Sequence, residues 1–159
     1  MTDSLRIQPS TRPSPLANSE IAVIEKTHPD FRHVAAIRRQ VFIEEQAVPE
    51  EEEWDEMDAA AKHLLARIDG KPVGTLRFYD DGGWLRVGRV AVLPEYRAFG
   101  LGGRMVAKCL EISMEMGFSK SYLNAQSDKT GFYHKFGYRE VGDEFTEAGI
   151  PHRRMELHF

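Results

Sequence analysis

The sequence predicts one mixed α/β domain with a central, mostly antiparallel sheet flanked by helices. Three observations carry that expectation. Apolar runs of strand length are separated by turn signals, two amphipathic stretches repeat with the helical period, and a glycine-bearing turn joins the end of a strand meander to the longer of those helices. The chain has 159 residues, enough for one core and too few to expect two. Apolar residues make up 42% and charged residues 29%, the balance of a globular chain rather than a disordered or fibrous one.

Residues 1–18 carry Pro9, Pro13 and Pro15 among serines and threonines, and too few apolar residues to pack; they are expected to form a flexible arm before a domain spanning 19–159. Ile21–Glu25 is a short strand. THPD then opens a helix with Pro29 in its first turn and Phe31, Val34, Ile37 and Val41 on one stripe. Residues 44–58, EEQAVPEEEEWDEMD, place nine acidic side chains around Trp54 and Met57, and a solvated acidic face is the plain reading of 50–56. His63–Ile68 and Val73–Tyr79 are strands joined at Asp69-Gly70, and DDGG at 80–83 turns the chain into a third strand, Trp84–Val92. Beyond the glycines, Leu101, Met105, Cys109 and Ile112 recur at helical spacing until Gly117 stops the helix. Tyr122–Gln126 reads as a strand, SDKTGFYHKFG as a short helix ending at Gly137, and Met155, Leu157 and Phe159 alternate on a last strand.

Composition also limits the partners. The formal net charge of −4 gives no global positive field for nucleic acid, and no apolar stretch approaches the roughly 18 residues of a membrane span. The single cysteine, Cys109, excludes an internal disulfide and a multi-cysteine metal site; it fits a reducing, cytoplasmic setting, and its place on the apolar stripe makes it a core residue rather than a nucleophile. No metal is expected.

The stretch VAVLPEYRAFGLGGR, residues 90–104, holds the most specific signal. A strand that runs through glycines into a helix leaves unpaired backbone N–H groups at the helix start, where Gly100, Gly102 and Gly103 allow an anion to approach and Arg97 and Arg104 add charge. A bare glycine turn needed only for packing would look the same. Two nucleotide motifs are excluded: Gly103 is followed by Arg104-Met105 instead of the Lys-Ser/Thr of a phosphate loop, and the dinucleotide fingerprint counted from Gly100 ends on Met105. The segment Arg97-Ala98-Phe99-Gly100-Leu101-Gly102 instead resembles the pyrophosphate loop of the GNAT superfamily of acyl-CoA-dependent N-acetyltransferases, with Ala98 where that family often has glycine. Phe132-Tyr133-His134-Lys135-Phe136-Gly137-Tyr138 is similar to that family's later helix. The element order agrees over about residues 20–159, and VFIEEQ, Asp55-x-x-Asp58, HLLA and GIPHRRM look like a bacterial subgroup of undefined substrate.

The resemblance implies a reaction and a set of roles. Acetyl-CoA would lie between two splayed parallel strands, meeting the backbone of Val90, Ala91 and Val92 and the loop residues Arg97, Ala98, Phe99, Gly100, Leu101, Gly102, Gly103 and Arg104. An amine would attack the thioester directly in a ternary complex. Tyr133 takes the place of the general acid, since a phenol with a pKa of about 10 stays protonated at neutral pH beside a thiol of about 8.5. Glu44, Glu45, Asp55, Asp58, His63 and His152 are all open as the base, Glu45 first; Glu45, Asp58, His63 and His152 are the expected substrate contacts. The acidic segment suggests a small cationic amine, or a peptide amine, as acceptor, and a homodimer is compatible with the family. Two rivals belong to other classes: a non-catalytic acyl-CoA-binding regulatory module, which the retained Tyr133 disfavours, and an acyl-CoA-dependent synthase of a signal molecule, which would reject simple amines.

Overall fold

The computed structural model describes residues 15–159. Strands β1 (Ser19–Glu25), β2 (Lys62–Ile68), β3 (Lys71–Asp81) and β4 (Trp84–Val92) form an antiparallel meander. The β2–β3 turn is made at Asp69 and Gly70, both at positive φ (50° and 78°), the two-residue geometry that matches strand twist. Helix α1 (Phe31–Arg38) continues as a π-helical stretch, Arg39–Glu45, and two single turns, α2 (Glu50–Glu53) and α3 (Met57–Ala60), complete the link from β1 to β2. After β4 come a 3₁₀ turn at Pro94–Phe99, the long helix α4 (Leu101–Glu115), β5 (Lys120–Gln126), α5 (Thr130–His134), β6 (Arg139–Glu147) and β7 (Ile150–His158).

The seven strands form one sheet in the order β1-β2-β3-β4-β5-β7-β6. Its neighbours are antiparallel except β4 and β5, which run parallel and pair only at Leu85↔Ser121 and Arg86↔Tyr122. Beyond those two pairs the strands diverge. Alternate residues of β3 face opposite ways: a side chain at Gly74 would meet Leu101 and Met105 of α4, whereas Arg77 meets the carboxylates of Asp55 and Asp58. Both faces of the sheet are therefore covered, and the middle strands are buried on both sides, as Leu64, Leu65 and Ala66 show.

Three sequence expectations change here. Pro15–Asn18, assigned to a flexible arm, is a 3₁₀ turn whose Leu16 packs on the core and accepts hydrogen bonds from Ser19 and Arg104; residues 1–14 lie outside the described residues. The strand β6 was not anticipated, because REVGDEFTE on a sheet edge buries almost nothing and shows no apolar alternation. Part of the acidic segment is not a solvated face: Glu53 and Asp58 are buried with Arg38.

Candidate active site

The divergence of β4 from β5 opens a cavity of about 830 Å³, within the range that holds small ligands and cofactors. Gly102 of α4 and Phe132 and Tyr133 of α5 line it on one face of the sheet; Arg77 and Tyr79 of β3 with Glu52, Glu53, Asp55, Glu56 and Met57 line it on the other. The slot thus passes through the sheet. Its walls are β4, from Arg86 to Val90 and again at Val92, and β5, from Leu123 to Gln126. Glu147, Ala148, Ile150 and His152 of the β6–β7 hairpin close one side.

A bulge shapes the β4 wall. Thr75 pairs with Ala91 but Arg77 pairs with Gly88, so β4 carries one extra residue over that step, and Arg89 takes a positive φ of 53° there. Such an insertion leaves a residue outside the ladder and re-aims the strand. Val90 and Val92 then line the cavity while Ala91 is buried in the core.

The loop uses its glycines unequally. Gly100, at φ 78°, is the cap of α4 with no side-chain cap, and the first helical bond runs from Arg104 N–H to the Gly100 carbonyl at 3.1 Å. The N–H groups of Leu101, Gly102 and Gly103 are left without intrahelical partners, a geometry that suits an anion. Gly102 and Gly103 are themselves helical, so the freedom expected of three glycines is used at one. Packing does not require glycine at those two either: a Cβ there would stand 3.6 Å from the ring of Phe132 or Phe136, an ordinary van der Waals contact. The two sequence motifs therefore touch. Arg97 also lines the cavity, with its Nε–H donating to the Val92 carbonyl at 2.8 Å. Ala98 and Phe99 sit in the preceding 3₁₀ turn, Leu101 is buried, and Arg104 turns away to Leu16 and Ser19 rather than joining the anion site.

Tyr133 and His152 meet at the same cavity. The Tyr133 ring is wedged edge-on against Phe132 and Tyr138, and its hydroxyl makes no hydrogen bond among the described residues. Burial pushes its pKa well above the ordinary phenol value, so it holds its proton. His152 Nδ1 donates to the Ile150 carbonyl at 2.7 Å, which can only accept, and Nε2 faces Glu147 at 3.6 Å.

The other expected substrate contacts are placed elsewhere. Asp58 is buried between Arg38 (2.7 Å) and Arg77 (3.0 Å); burial opposes its charge, but the two guanidinium groups outweigh that and hold it below the usual carboxylate range. His63 is fully buried, donates from Nε2 to the Asp58 carbonyl at 3.1 Å, meets Phe31 edge-on, and is held neutral chiefly by burial. Glu45 forms a two-pronged ion pair with Arg97 at 2.5 and 2.6 Å, outside the cavity lining, and that pairing lowers its pKa. Each is a structural partner here instead of a free base. Sequence reading also passed over Arg77, Arg86, Gly88 and Arg89. The available signal was Arg86-Val87-Gly88-Arg89, a glycine between arginines inside a strand, which marks a bulge or a close approach.

The acetyltransferase (GNAT) domain family matches residues 25–159. The chain belongs to the GNAT family. Among GNAT relatives, the uncharacterized N-acetyltransferase YjcF of Bacillus subtilis is 37% identical over 135 residues, covering 84% of this chain and 96% of YjcF. An acyl-CoA N-acyltransferase from Pseudomonas aeruginosa superposes with a TM-score of 0.79 at 26% identity, over 87% of this chain and 98% of that one. The PaiA N-acetyltransferase from Thermoplasma acidophilum, crystallised with coenzyme A, shares the fold with a TM-score of 0.68 at 18% identity, over 88% of this chain and 99% of its own. The mixed α/β fold with a mostly antiparallel, helix-flanked GNAT sheet expected from the sequence is the one observed, with seven strands.

Proposed function

We propose that this GNAT domain transfers an acetyl group from acetyl-CoA to the primary amine of a small molecule or peptide by direct attack in a ternary complex. The observation that carries the reading is the through-sheet slot, with an open helix N-terminus at one end and Tyr133 and His152 together inside it. The residues fit the co-substrate: the uncapped amides of Leu101, Gly102 and Gly103, with Arg97 beside them, suit a pyrophosphate, and the bulged wall at Val90 and Val92 suits a pantetheine arm. Acetyl-CoA supplies an activated thioester. The CoA-bound PaiA structure, on the same fold, supports that choice.

His152 Nε2 takes a proton from the substrate ammonium and so frees the amine lone pair for attack, because its other nitrogen is engaged as a donor and Glu147 stands by to stabilise the imidazolium. As the C–N bond forms and the C–S bond breaks, the Tyr133 hydroxyl gives its proton to the departing sulfur, and the second proton, shed by the new amide nitrogen, restores the phenol. His152 replaces Glu45 as the preferred base because Glu45 is already paired. A synthase or binding module would not require both groups in one slot.

The test is free thiol released from acetyl-CoA across amino acids, polyamines, amino sugars and peptides. Tyr133→Phe should keep acetyl-CoA affinity and lower kcat by about 10²- to 10⁴-fold. His152→Gln should lower kcat similarly. No thiol release with any amine, in a protein that binds CoA, would leave the non-catalytic module standing.

A further inference from the structure

We infer that the acceptor is an amine carrying its own carboxylate, an amino-acid-like zwitterion, whose carboxylate sits over Gly88 against the Arg86 guanidinium; this rests on the transferase reading above. Arg77 and Gly88 are cross-strand partners, as are Tyr79 and Arg86, so these four residues share the sheet face that carries the acidic segment, opposite α4. All four line the slot. The co-substrate's end of the slot is the α4 end, which leaves this face for the acceptor.

Charge bookkeeping on that face selects the ligand. Arg77 pairs with Asp55 and Asp58 at 2.7 and 3.0 Å, Arg89 with Glu53 and Asp55 at 3.2 and 3.4 Å, and Arg38 with Glu53 and Asp58 at 2.6 and 2.7 Å. Three guanidinium groups and three carboxylates neutralise one another. Arg86 is left over: it lies over the Tyr122 ring at 5.4 Å and has no carboxylate partner among the described residues. The place beside it is bare, because a Cβ built on Gly88 meets nothing within 4 Å. Arg77, 3% exposed, also keeps a buried Nε–H with no hydrogen-bond partner among the described residues. Burial further opposes the charge of Arg89, with Arg77 and Arg38 adding to the effect, so an incoming anion is favoured there. One uncompensated cation suits a monoanionic carboxylate better than a dianionic phosphate. Glu52, Glu56 and Glu147 also line the slot, and they suit the ammonium end of the same molecule. A polyamine would meet those carboxylates but leave Arg86 facing like charge.

Two measurements decide this. Thiol release is compared for free amino acids, their amides and their decarboxylated amines, and binding of the same amino acids to the CoA-loaded protein is followed by calorimetry. The free acids should exceed the amides in kcat/KM by about 10- to 100-fold, the scale of a charge-assisted pair. Arg86→Gln and Gly88→Leu should erase that difference in folded protein, and Arg86→Lys should restore part of it. Amides or decarboxylated amines that equal or surpass the acids would overturn the proposal. If no amine of any kind releases thiol, the transferase reading fails alone; amino-acid binding that Arg86→Gln abolishes would still support the seat, and binding that is absent or unchanged would sink it.

Discussion

Glu45 and Arg97 stand 52 positions apart in the sequence, and each has an obvious solo role, base and phosphate ligand; in the fold each holds the other. Pairwise capture of this kind is invisible to spacing. It also reverses an expectation. If Glu45 were the base, Glu45→Gln would cut kcat; as a competitor for Arg97 next to a polyanion site, its neutralisation should leave kcat intact and lower the KM for acetyl-CoA. The shift should be several-fold at most, because both side chains are over a third exposed and such pairs are worth about 1 kcal/mol or less. Steady-state kinetics with varied acetyl-CoA separates the two. Cys109 was legible: a residue on the apolar stripe is buried, and burial pushes its thiol pKa up to about 12. A thiol reagent at neutral pH should therefore modify it only after denaturant is added.

At the scale of elements, what the sequence disclosed depended on how much each element buries. The meander, α4 and β5 were legible because their buried stripes impose a period, and Trp84–Val92 matches its strand residue for residue. The edge strand β6 was not, and neither was the structure inside the acidic segment, where charge patterning carries no record of which carboxylates turn inward. Glu53 and Asp58 turn inward because Arg38, fully buried on α1, needs counter-charges: its Nε–H and an Nη–H donate to them, and another Nη–H to the Glu53 carbonyl at 2.9 Å. This clamp ties α1 to α2, α3 and, through Arg77 and Arg89, to the bulged wall of the slot. Arg38→Ala should lower stability by about 3 kcal/mol, because it takes the nearer of two cationic partners from each of two buried carboxylates, Arg77 and Arg89 remaining. Arg38→Ala combined with Glu53→Gln should cost less than the sum of the two single changes. Urea denaturation of the three variants measures both.

For the whole molecule, the buried network sets the response to acid. Asp55 and Asp58 have folded-state pKa values below their unfolded ones: burial opposes their charge, and their arginine partners more than reverse it. The unfolded chain then binds more protons as pH falls, so this stabilisation is complete above a pH of about 4 and is lost progressively below it. Urea midpoints should begin to fall below about pH 6.5, where the unfolded chain protonates His63 but the fold holds it neutral, and fall further below about pH 4, with the second fall reduced in Asp58→Asn after allowance for its lower starting stability. The sheet itself has an uneven grain. Its N-terminal four strands and C-terminal three are each stitched by long antiparallel ladders, yet they are sewn to each other by two residue pairs at Leu85 and Arg86. Pulled along its length, such a fabric tears at the seam, and the seam lies at the closed end of the slot. Ligands that span β4 and β5 would act as extra stitches, so the force needed to separate the two halves should rise when acetyl-CoA is bound.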